Sequence, residues 1–326
     1  MKAIIVKQPG GAEQLTIVQQ RKPEPKEDEI LIKVKASAIN RTDIITREKG
    51  GGYLETPILG IEVAGVVERA GAKTNIALGT RVMGLVNGGG YAQYAVMPAN
   101  RAIEIPDNIS FEQAAAITEV FLTAYQCLYW HGRLAEKETV LIHAGGSGVG
   151  TAAIQLAKQF SNAKVITTAG SEEKLVHAKK IGADFGINYK EQDFAEEVLK
   201  ITENRGVDVI LDFVGASYWE KNYQSISIDG RWILIGLLGG AVVERVNLFE
   251  LMSKRVQLTG TLLTPRSDEY KAELTKEFAF KTMPYFENGK LIPIIDCVYS
   301  FEQIRRAHER MQANANIGKI ILQVAD

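Results

Sequence analysis

An apolar run, Thr139-Val140-Leu141-Ile142, leads into His143-Ala144-Gly145-Gly146-Ser147-Gly148-Val149-Gly150. An alanine-rich helical pattern, Thr151–Lys158, follows at once. A strand, a glycine turn and a helix in that order make a dinucleotide-binding loop. The backbone must come close to a pyrophosphate, and Cβ atoms would block it. The helix N-terminus then offers unpaired N–H groups and a partial positive charge to the phosphates. Aligned on Gly150, the motif reads Gly145-x-Ser147-Gly148-x-Gly150, so Ser147 stands where the usual G-x-G-x-x-G pattern has its second glycine. Its hydroxyl can hydrogen-bond a cofactor, or the residue is simply small enough to be tolerated.

From Glu138 onward, strands and helices alternate. Strands are expected at Val140–His143, Lys164–Thr168, Phe185–Asn188, Asp208–Phe213, Arg231–Ile235 and Val256–Leu263. Helices are expected at Thr151–Phe160, Glu172–Ile181 and Phe194–Thr202. Apolar strands in such alternation mean a parallel sheet covered on both faces. Before about residue 115 the pattern differs. Short strands broken by turns read at Ala3–Val6, Leu15–Val18, Glu29–Ala38, Glu62–Ala70, Arg81–Val86 and Tyr91–Met97, an antiparallel barrel-like domain. Between the two, Ser110 and Gln113 have the spacing of a capping box, opening a broken helical pattern over Ala114–Trp130. The last 60 or so residues read as a helix over Ser267–Asn288, a strand near Ile294–Tyr299, a helix over Phe301–Ala313 and a strand over Gly318–Val324. They do not extend the α/β repeat and are expected to return to the first domain. The boundaries are therefore 1–118 with 265–326, and 119–264.

A chain of 326 residues suits two domains, and a net charge of −1 gives no basic field for nucleic acid. No apolar run approaches the roughly 20 residues of a membrane span, and the first residues lack the features of a signal peptide. Two cysteines, Cys127 and Cys297, leave a disulfide framework improbable and fit a cytoplasmic protein. The four histidines, His131, His143, His177 and His308, show no ligand spacing, so no metal site is expected. His143 reads as packed, and His177 and His308 as surface residues. There is no G-x-S-x-G elbow, and Cys127 lies in an apolar helical pattern.

The end of the second strand of the repeat separates NAD from NADP. An NAD-binding fold usually puts Asp or Glu there to accept from the ribose 2′-hydroxyl. Here Val165-Ile166-Thr167-Thr168 ends in Ala169-Gly170-Ser171 with no acid. Ser171 and Lys174 can bind a 2′-phosphate, while Ser171 can equally cap the next helix; the two roles are compatible. The pattern points to NADPH.

Several stretches together resemble the zinc-independent NADPH:quinone oxidoreductases (zeta-crystallin-like) of the medium-chain dehydrogenase/reductase superfamily. They are KAIIVKQPGGAEQL, ASAINRTD at Ala36–Asp43, PILGIEVAGVV at Pro57–Val67, FLTAYQCL at Phe121–Leu128, HAGGSGVGTAAIQLAK at His143–Lys158, GINYKEQDF at Gly186–Phe194, DFVG at Asp212–Gly215 and NIGKIIL at Asn316–Leu322. The resemblance implies a Rossmann doubly wound parallel sheet plus a GroES-like antiparallel β-barrel domain, with the active site in the cleft between them. Zinc-dependent relatives place Cys at or beside the position of Asn40 and use Gly-His-Glu, where this chain has Gly60-Ile61-Glu62.

The implied activity is hydride transfer from NADPH to a quinone. The alternatives are reduction of an activated C=C bond in an enal, enone or enoyl thioester, and a non-catalytic, crystallin-like NADPH-binding protein. Some relatives bind RNA, for which the charge gives no support. The resemblance implies pocket residues Asn40, Asp43 and Tyr53. Asn40 can donate to a carbonyl or orient the nicotinamide. Tyr53 can stack or donate a proton, or be an exposed loop residue, and Asp43 can equally be a buried structural group. Gly148, Val149 and Gly150, with Ser147, belong under the pyrophosphate. Gly170, Ser171, Lys174 and Tyr189 belong around the 2′-phosphate, and Phe213, Val214 and Gly215 near the ribose. Gly236, Leu237 and Leu238 follow a strand at the carboxyl edge of the sheet, and Thr123, Leu262, Leu263 and Asn316 match positions near the nicotinamide. An unpaired strand at 256–263 would join its copy in a homodimer.

Overall fold

The computed structural model describes residues 1–324 apart from 51–53 and 55, so Tyr53 lies outside the described residues. The chain divides into two compact units, Met1–Leu122 with Leu263–Asp326, and Thr123–Leu262.

In the first unit a seven-stranded sheet runs in the order Ile295–Ser300, Lys319–Gln323, Glu29–Ile39, Glu62–Ala70, Arg81–Leu85 and Ile103–Glu104, with Tyr94–Pro98 also paired to Glu29–Ile39. Its neighbours are antiparallel, with the exception of Ile295–Ser300 against Lys319–Gln323. That pair is parallel because the helix Ile304–Gln312 carries the chain back between them. Lys2–Val6 and Leu15–Gln19 form a separate hairpin. Ile30, Ile32, Val34, Val63, Val67 and Val82 share one core with Ile320 and Leu322 from the far end of the sequence. The C-terminal segment thus completes the first domain.

A helix, Arg41–Lys49, interrupts this unit between two strands, and no sequence periodicity announces it. Its composition is polar, and its apolar contribution is mainly Ile44 and Ile45. The one local signal is Asp43, three residues after Asn40. The Asp43 carboxylate accepts from the Asn40 backbone N–H at 2.8 Å and closes the first turn.

In the second unit six parallel strands lie in the order Phe185–Asn188, Lys164–Ala169, Thr139–Ile142, Val207–Asp212, Ile226–Leu234 and Gln257–Gly260. The chain starts in the middle, moves outward twice, then crosses to the other side. This reversal beside Thr139–Ile142 opens a crevice at the carboxyl ends of the strands. Leu141, Ile166, Ile187, Ile210 and Trp232 pack one face with Phe194 and Val198 of a covering helix. The glycine-loop helix, Gly148–Ser161, is buried along most of its length, which explains its alanine-rich sequence.

The expected helix over Ala114–Trp130 is three pieces: Phe111–Ala115, Thr118–Tyr125 and a π-wound turn over Gln126–His131. Helices at Trp219–Ser225 and Leu248–Lys254 were not legible in the sequence. In the latter Leu248, Phe249 and Met252 are all exposed. The last strand of this sheet is shorter than 256–263: it covers Gln257–Gly260 and is largely exposed. Among the described residues no helix is long and apolar enough to cross a membrane.

Candidate active site

The glycine loop is built as the sequence suggests, and its tolerances are now visible. Ser147 is the N-cap of Gly148–Ser161, and its Oγ accepts from Gly150 N–H at 3.0 Å. A Cβ on Gly150 would stand 2.3 Å from the Ala144 carbonyl oxygen. The helix therefore starts against the preceding turn, with Gly148, Val149 and Gly150 as its first residues.

Beside the loop stand the expected ribose-end residues. Ser171 caps Glu172–Lys180, accepting from Lys174 N–H at 3.4 Å. The Lys174 stem lies over Gly146, where a Cβ would meet it at 2.9 Å, and the Tyr189 hydroxyl lies 2.7 Å from where a Cβ on Gly170 would be. Gly146, Gly170, Ser171, Lys174 and Tyr189 thus form one cluster at the carboxyl edge of the sheet. The two glycines leave room for these side chains to lie against the backbone.

Opposite them, Asp212 ends its strand wholly buried. Its Oδ1 accepts from Val214 N–H at 2.7 Å and Gly215 N–H at 3.0 Å. Its Oδ2 accepts from Asn222 Nδ2 and Trp232 Nε1, both at 3.0 Å. The Phe213-Val214-Gly215 turn is thereby fixed. It binds the next one: Leu238 N–H donates to the Phe213 carbonyl at 3.2 Å and Gly239 N–H to that of Val214 at 2.7 Å. Leu237 and Leu238 remain exposed.

The network continues to His143. Asn222 donates to Asp212 through Nδ2, so its Oδ1 accepts from His143 Nε2, at 2.7 Å. His143 Nδ1 then accepts from the Thr168 hydroxyl at 2.9 Å. Burial holds this imidazole below its ordinary range and keeps it neutral. Three strand ends are tied together under the crevice by one chain of buried hydrogen bonds.

In the other unit, Asn40 and Asp43 sit at the start of Arg41–Lys49. The buried Asp43 carboxylate accepts from Asn40 N–H, from Gly60 N–H at 3.1 Å and from the Tyr91 hydroxyl at 2.9 Å. All its partners are structural, which favours the structural reading of Asp43 over a pocket role. Burial pushes its carboxyl up to about 6, against the opposing pull of those hydrogen bonds. The Asn40 side chain belongs to a second buried network. Lys319 Nζ donates to Asn40 Oδ1 at 2.6 Å and to Glu62 Oε1 at 2.8 Å. Asn40 Nδ2 donates to the same Glu62 oxygen at 2.8 Å. Glu62 Oε2 accepts from Glu119 N–H at 2.7 Å.

Thr123, Leu263 and Asn316 are buried and Leu262 is exposed. Asn316 Nδ2 donates to the Gly318 carbonyl at 2.7 Å. These four residues do not build either cluster. His308 is not the surface residue expected from its charged surroundings: it is fully buried beside Arg47, and His177 is half-buried. The sequence reading also missed Lys319, Asp212 and Asn222. One signal was available for the first: a lysine opening an otherwise apolar strand, Lys319-Ile320-Ile321-Leu322.

Comparison with known proteins agrees with this architecture. Residues 26–107 match the alcohol dehydrogenase GroES-like domain, and residues 148–279 match the zinc-binding dehydrogenase model. Human quinone oxidoreductase is 31% identical over 331 residues, covering 99% of this chain and 97% of that protein. The chain belongs to the quinone oxidoreductase family of the medium-chain dehydrogenase/reductase superfamily. An Escherichia coli quinone oxidoreductase, solved in complex with NADPH, superposes with a TM-score of 0.90 at 32% identity, covering 99% of this chain and 100% of that one. A Danio rerio synaptic vesicle membrane protein VAT-1 homolog is 30% identical over 98% of this chain and 69% of its own length.

The zinc-binding name of one matched model invites a test of the residues themselves. In this quinone oxidoreductase family member, Ile61 is buried beside Glu62, and the Lys319 ammonium lies between Glu62 and Asn40. A fixed cation already occupies that donor set, and a second one there would meet direct repulsion. Among the described residues no group of three His, Cys, Asp or Glu side chains could hold a metal ion. The residues present do not fit zinc.

Proposed function

We propose that this oxidoreductase passes hydride from NADPH to a quinone without a metal ion. The observation that carries the cofactor reading is the cluster at the ribose end of the glycine loop. Ser171, Lys174 and Tyr189 gather around Gly146 and Gly170, and the strand beneath them ends without an acid. Relatives named quinone oxidoreductases, at 31% and 32% identity, support the acceptor class.

Bound NADPH supplies the hydride from C4 of its nicotinamide. The chain's own part is positional. The N–H groups at the start of Gly148–Ser161 receive the pyrophosphate. Lys174 and the Ser171 hydroxyl receive the 2′-phosphate. Asp212 holds the 213–215 turn against the adjacent ribose. A quinone spreads arriving charge over its own π-system, so the protein need not supply a Lewis acid and gains mainly by orientation.

The test is a panel of acceptors with purified protein and NADPH. Turnover of quinones is expected. Turnover of enals or enoyl thioesters with silence toward quinones would replace the acceptor by an activated C=C bond. Cofactor binding with no turnover of either would leave a non-catalytic protein. For the phosphate site, Lys174→Ala is expected to weaken NADPH binding about 10-fold or more, the scale of one charge-assisted hydrogen bond. NADH binding should move less than about 2-fold, and equal losses for both would remove Lys174 from the site.

We propose also that the chain is a homodimer. The exposed strand Gln257–Gly260, with Leu258, lies in the same unit as Leu248, Phe249 and Met252, all exposed. An exposed edge strand offers backbone N–H and C=O groups that pair readily with its copy across a two-fold axis. Sedimentation equilibrium should give twice the chain mass, and Leu258→Lys should shift it toward the monomer. A wild-type protein that sediments as a monomer at micromolar concentration would contradict the proposal.

A further inference from the structure

Two tyrosines meet at the carboxyl edge of the parallel sheet. Tyr189 follows the strand Phe185–Asn188, and Tyr218 lies beyond Asp212, the last residue of Val207–Asp212. In the sheet, Lys164–Ala169 and Thr139–Ile142 separate those two strands. The two rings nevertheless touch edge to face, with centroids 6.3 Å apart. They therefore bridge the ends of the strands that lead into Gly170-Ser171 and into the glycine loop. All of these residues belong to the unit Thr123–Leu262.

Tyr218 is held in place by its neighbours. Its backbone N–H donates to the Gly215 carbonyl at 2.9 Å, so its position follows from the turn that Asp212 anchors. Its ring packs on the His143 imidazole, with centroids 4.9 Å apart, and on the Phe194 ring at 4.7 Å. His143 and Phe194 are both buried. These contacts use the aromatic ring alone, and a phenylalanine would make them equally well.

The hydroxyl has no such duty. A phenol O–H withdrawn from water ordinarily finds a hydrogen-bond partner. Tyr218 is half-buried, yet among the described residues its hydroxyl makes no hydrogen bond, and as the N-cap of Trp219–Ser225 it makes no capping bond. Burial, followed by the nearness of Tyr189 and Asp212, raises this phenol above its ordinary range, so it keeps its proton and can donate it to a hydrogen bond. The Tyr189 hydroxyl lies against Gly170. Tyr218 thus adds one further donor to the cluster of Gly170, Ser171, Lys174 and Tyr189.

We propose that Tyr218 is a specificity-determining residue, which donates with Tyr189 to the 2′-phosphate of NADPH. The chemistry recognised is a phosphate monoester on adenosine, whose charged oxygens accept several hydrogen bonds at once. A ribose 2′-hydroxyl is neutral and a weaker acceptor, so NADH gains less from the same phenol. The proposal rests on the reading of this edge as the NADPH site. It adds a residue from the other side of the point where the strand order reverses.

The test is Tyr218→Phe, which removes the hydroxyl and keeps the ring. Binding of NADPH, NADH, 2′,5′-ADP and 5′-AMP is measured by calorimetric titration. NADPH and 2′,5′-ADP should bind about 10-fold more weakly, the scale of one hydrogen bond to a charged group. NADH and 5′-AMP should move less than about 2-fold. Without ligand the variant should melt as the wild type does, because the contacts with His143, Phe194 and Tyr189 remain. Unchanged NADPH affinity in Tyr218→Phe overturns the proposal. Equal losses for all four ligands also overturn it, since they would place the hydroxyl on the adenosine that the four share. A lower melting temperature without ligand overturns it too, by giving the hydroxyl a partner within the protein. Wild-type protein that binds neither NADPH nor 2′,5′-ADP would sink the functional reading instead, whereas wild-type binding that Tyr218→Phe leaves unmoved would sink this inference alone.

Discussion

Asp212→Ala is expected to destabilise the unit 123–262 by about 3–5 kcal/mol, the scale for removing one partner from a buried charged network. The carboxylate accepts four hydrogen bonds, two from the Val214 and Gly215 N–H groups and two from Asn222 and Trp232. Asn222 and Trp232 are themselves buried and would keep donors with no acceptor. Each such orphan costs roughly 1–3 kcal/mol, while relaxation and water entry return part of the sum. Asp212→Asn is nearly isosteric and should still cost about 2 kcal/mol, since its NH2 must face donors on one side. All three tryptophans, Trp130, Trp219 and Trp232, lie in this unit, so urea unfolding followed by tryptophan fluorescence reports on it directly. The same substitution should weaken NADPH binding, because the 213–215 turn loses its anchor. A loss of stability under about 1 kcal/mol would show that the four bonds contribute little net energy.

The second large effect is expected at Arg47, in the other unit. Its guanidinium is fully buried: Nε donates to the Gly10 carbonyl at 3.0 Å, one terminal nitrogen faces His308 Nδ1 at 3.1 Å, and the other donates to Glu48 at 2.9 Å. These contacts clamp Arg41–Lys49 to the Gly10 turn and to the helix Ile304–Gln312. Arg47→Ala leaves a cavity, an unpaired carbonyl and an unpaired imidazole nitrogen, at a cost of about 3–4 kcal/mol. Arg47→Met should be milder, since an apolar side chain of similar length fills the space and no charge need be buried. Scanning calorimetry and far-UV circular dichroism would measure both, and equal stability of wild type and Arg47→Ala would refute the clamp.

Acid adds a second readout. Burial, with the Arg47 charge beside it, pushes His308 down to about 3 from an ordinary 6.5. Between those values the unfolded chain binds a proton that the folded chain refuses. The His308 contribution is therefore complete above pH 6.5 and is lost as pH falls toward 3. Asp43 has the opposite sign: raised to about 6 from 3.8, it favours the folded chain below pH 3.8 and loses that contribution as pH rises through 6. The two oppose each other between pH 6 and 3.8. In Arg47→Met, with the guanidinium removed, His308 should titrate higher. The difference in acid sensitivity between the two proteins then isolates the histidine.

The residues that were legible in advance belong to local patterns. The glycine loop, the alternating strands and helices after it, and the missing acid after Thr168 all lie within short stretches, where strand and helix periods and capping chemistry decide the outcome. Ser147 and Ser171 cap the helices that begin beside them, through bonds spanning three residues. Arg41–Lys49 was not legible, because it is polar nearly throughout, whereas Leu248–Lys254 has Leu248, Leu251 and Met252 at helical spacing but exposes Leu248 and Met252.

By itself, then, the sequence determined the two kinds of domain, the strand, glycine turn and helix of the cofactor-binding unit, and the lean toward NADPH. Only the tertiary structure decided what the charged residues do. Lys319 reaches Asn40 across 279 residues and Arg47 reaches His308 across 261. Periodicity can show that a side chain points inward, but a buried charge is stable only with particular partners, and those partners are chosen by the fold. So Asn40, which the sequence offered as a donor or as an orienting group, has both its nitrogen and its oxygen directed by two buried charges from other strands.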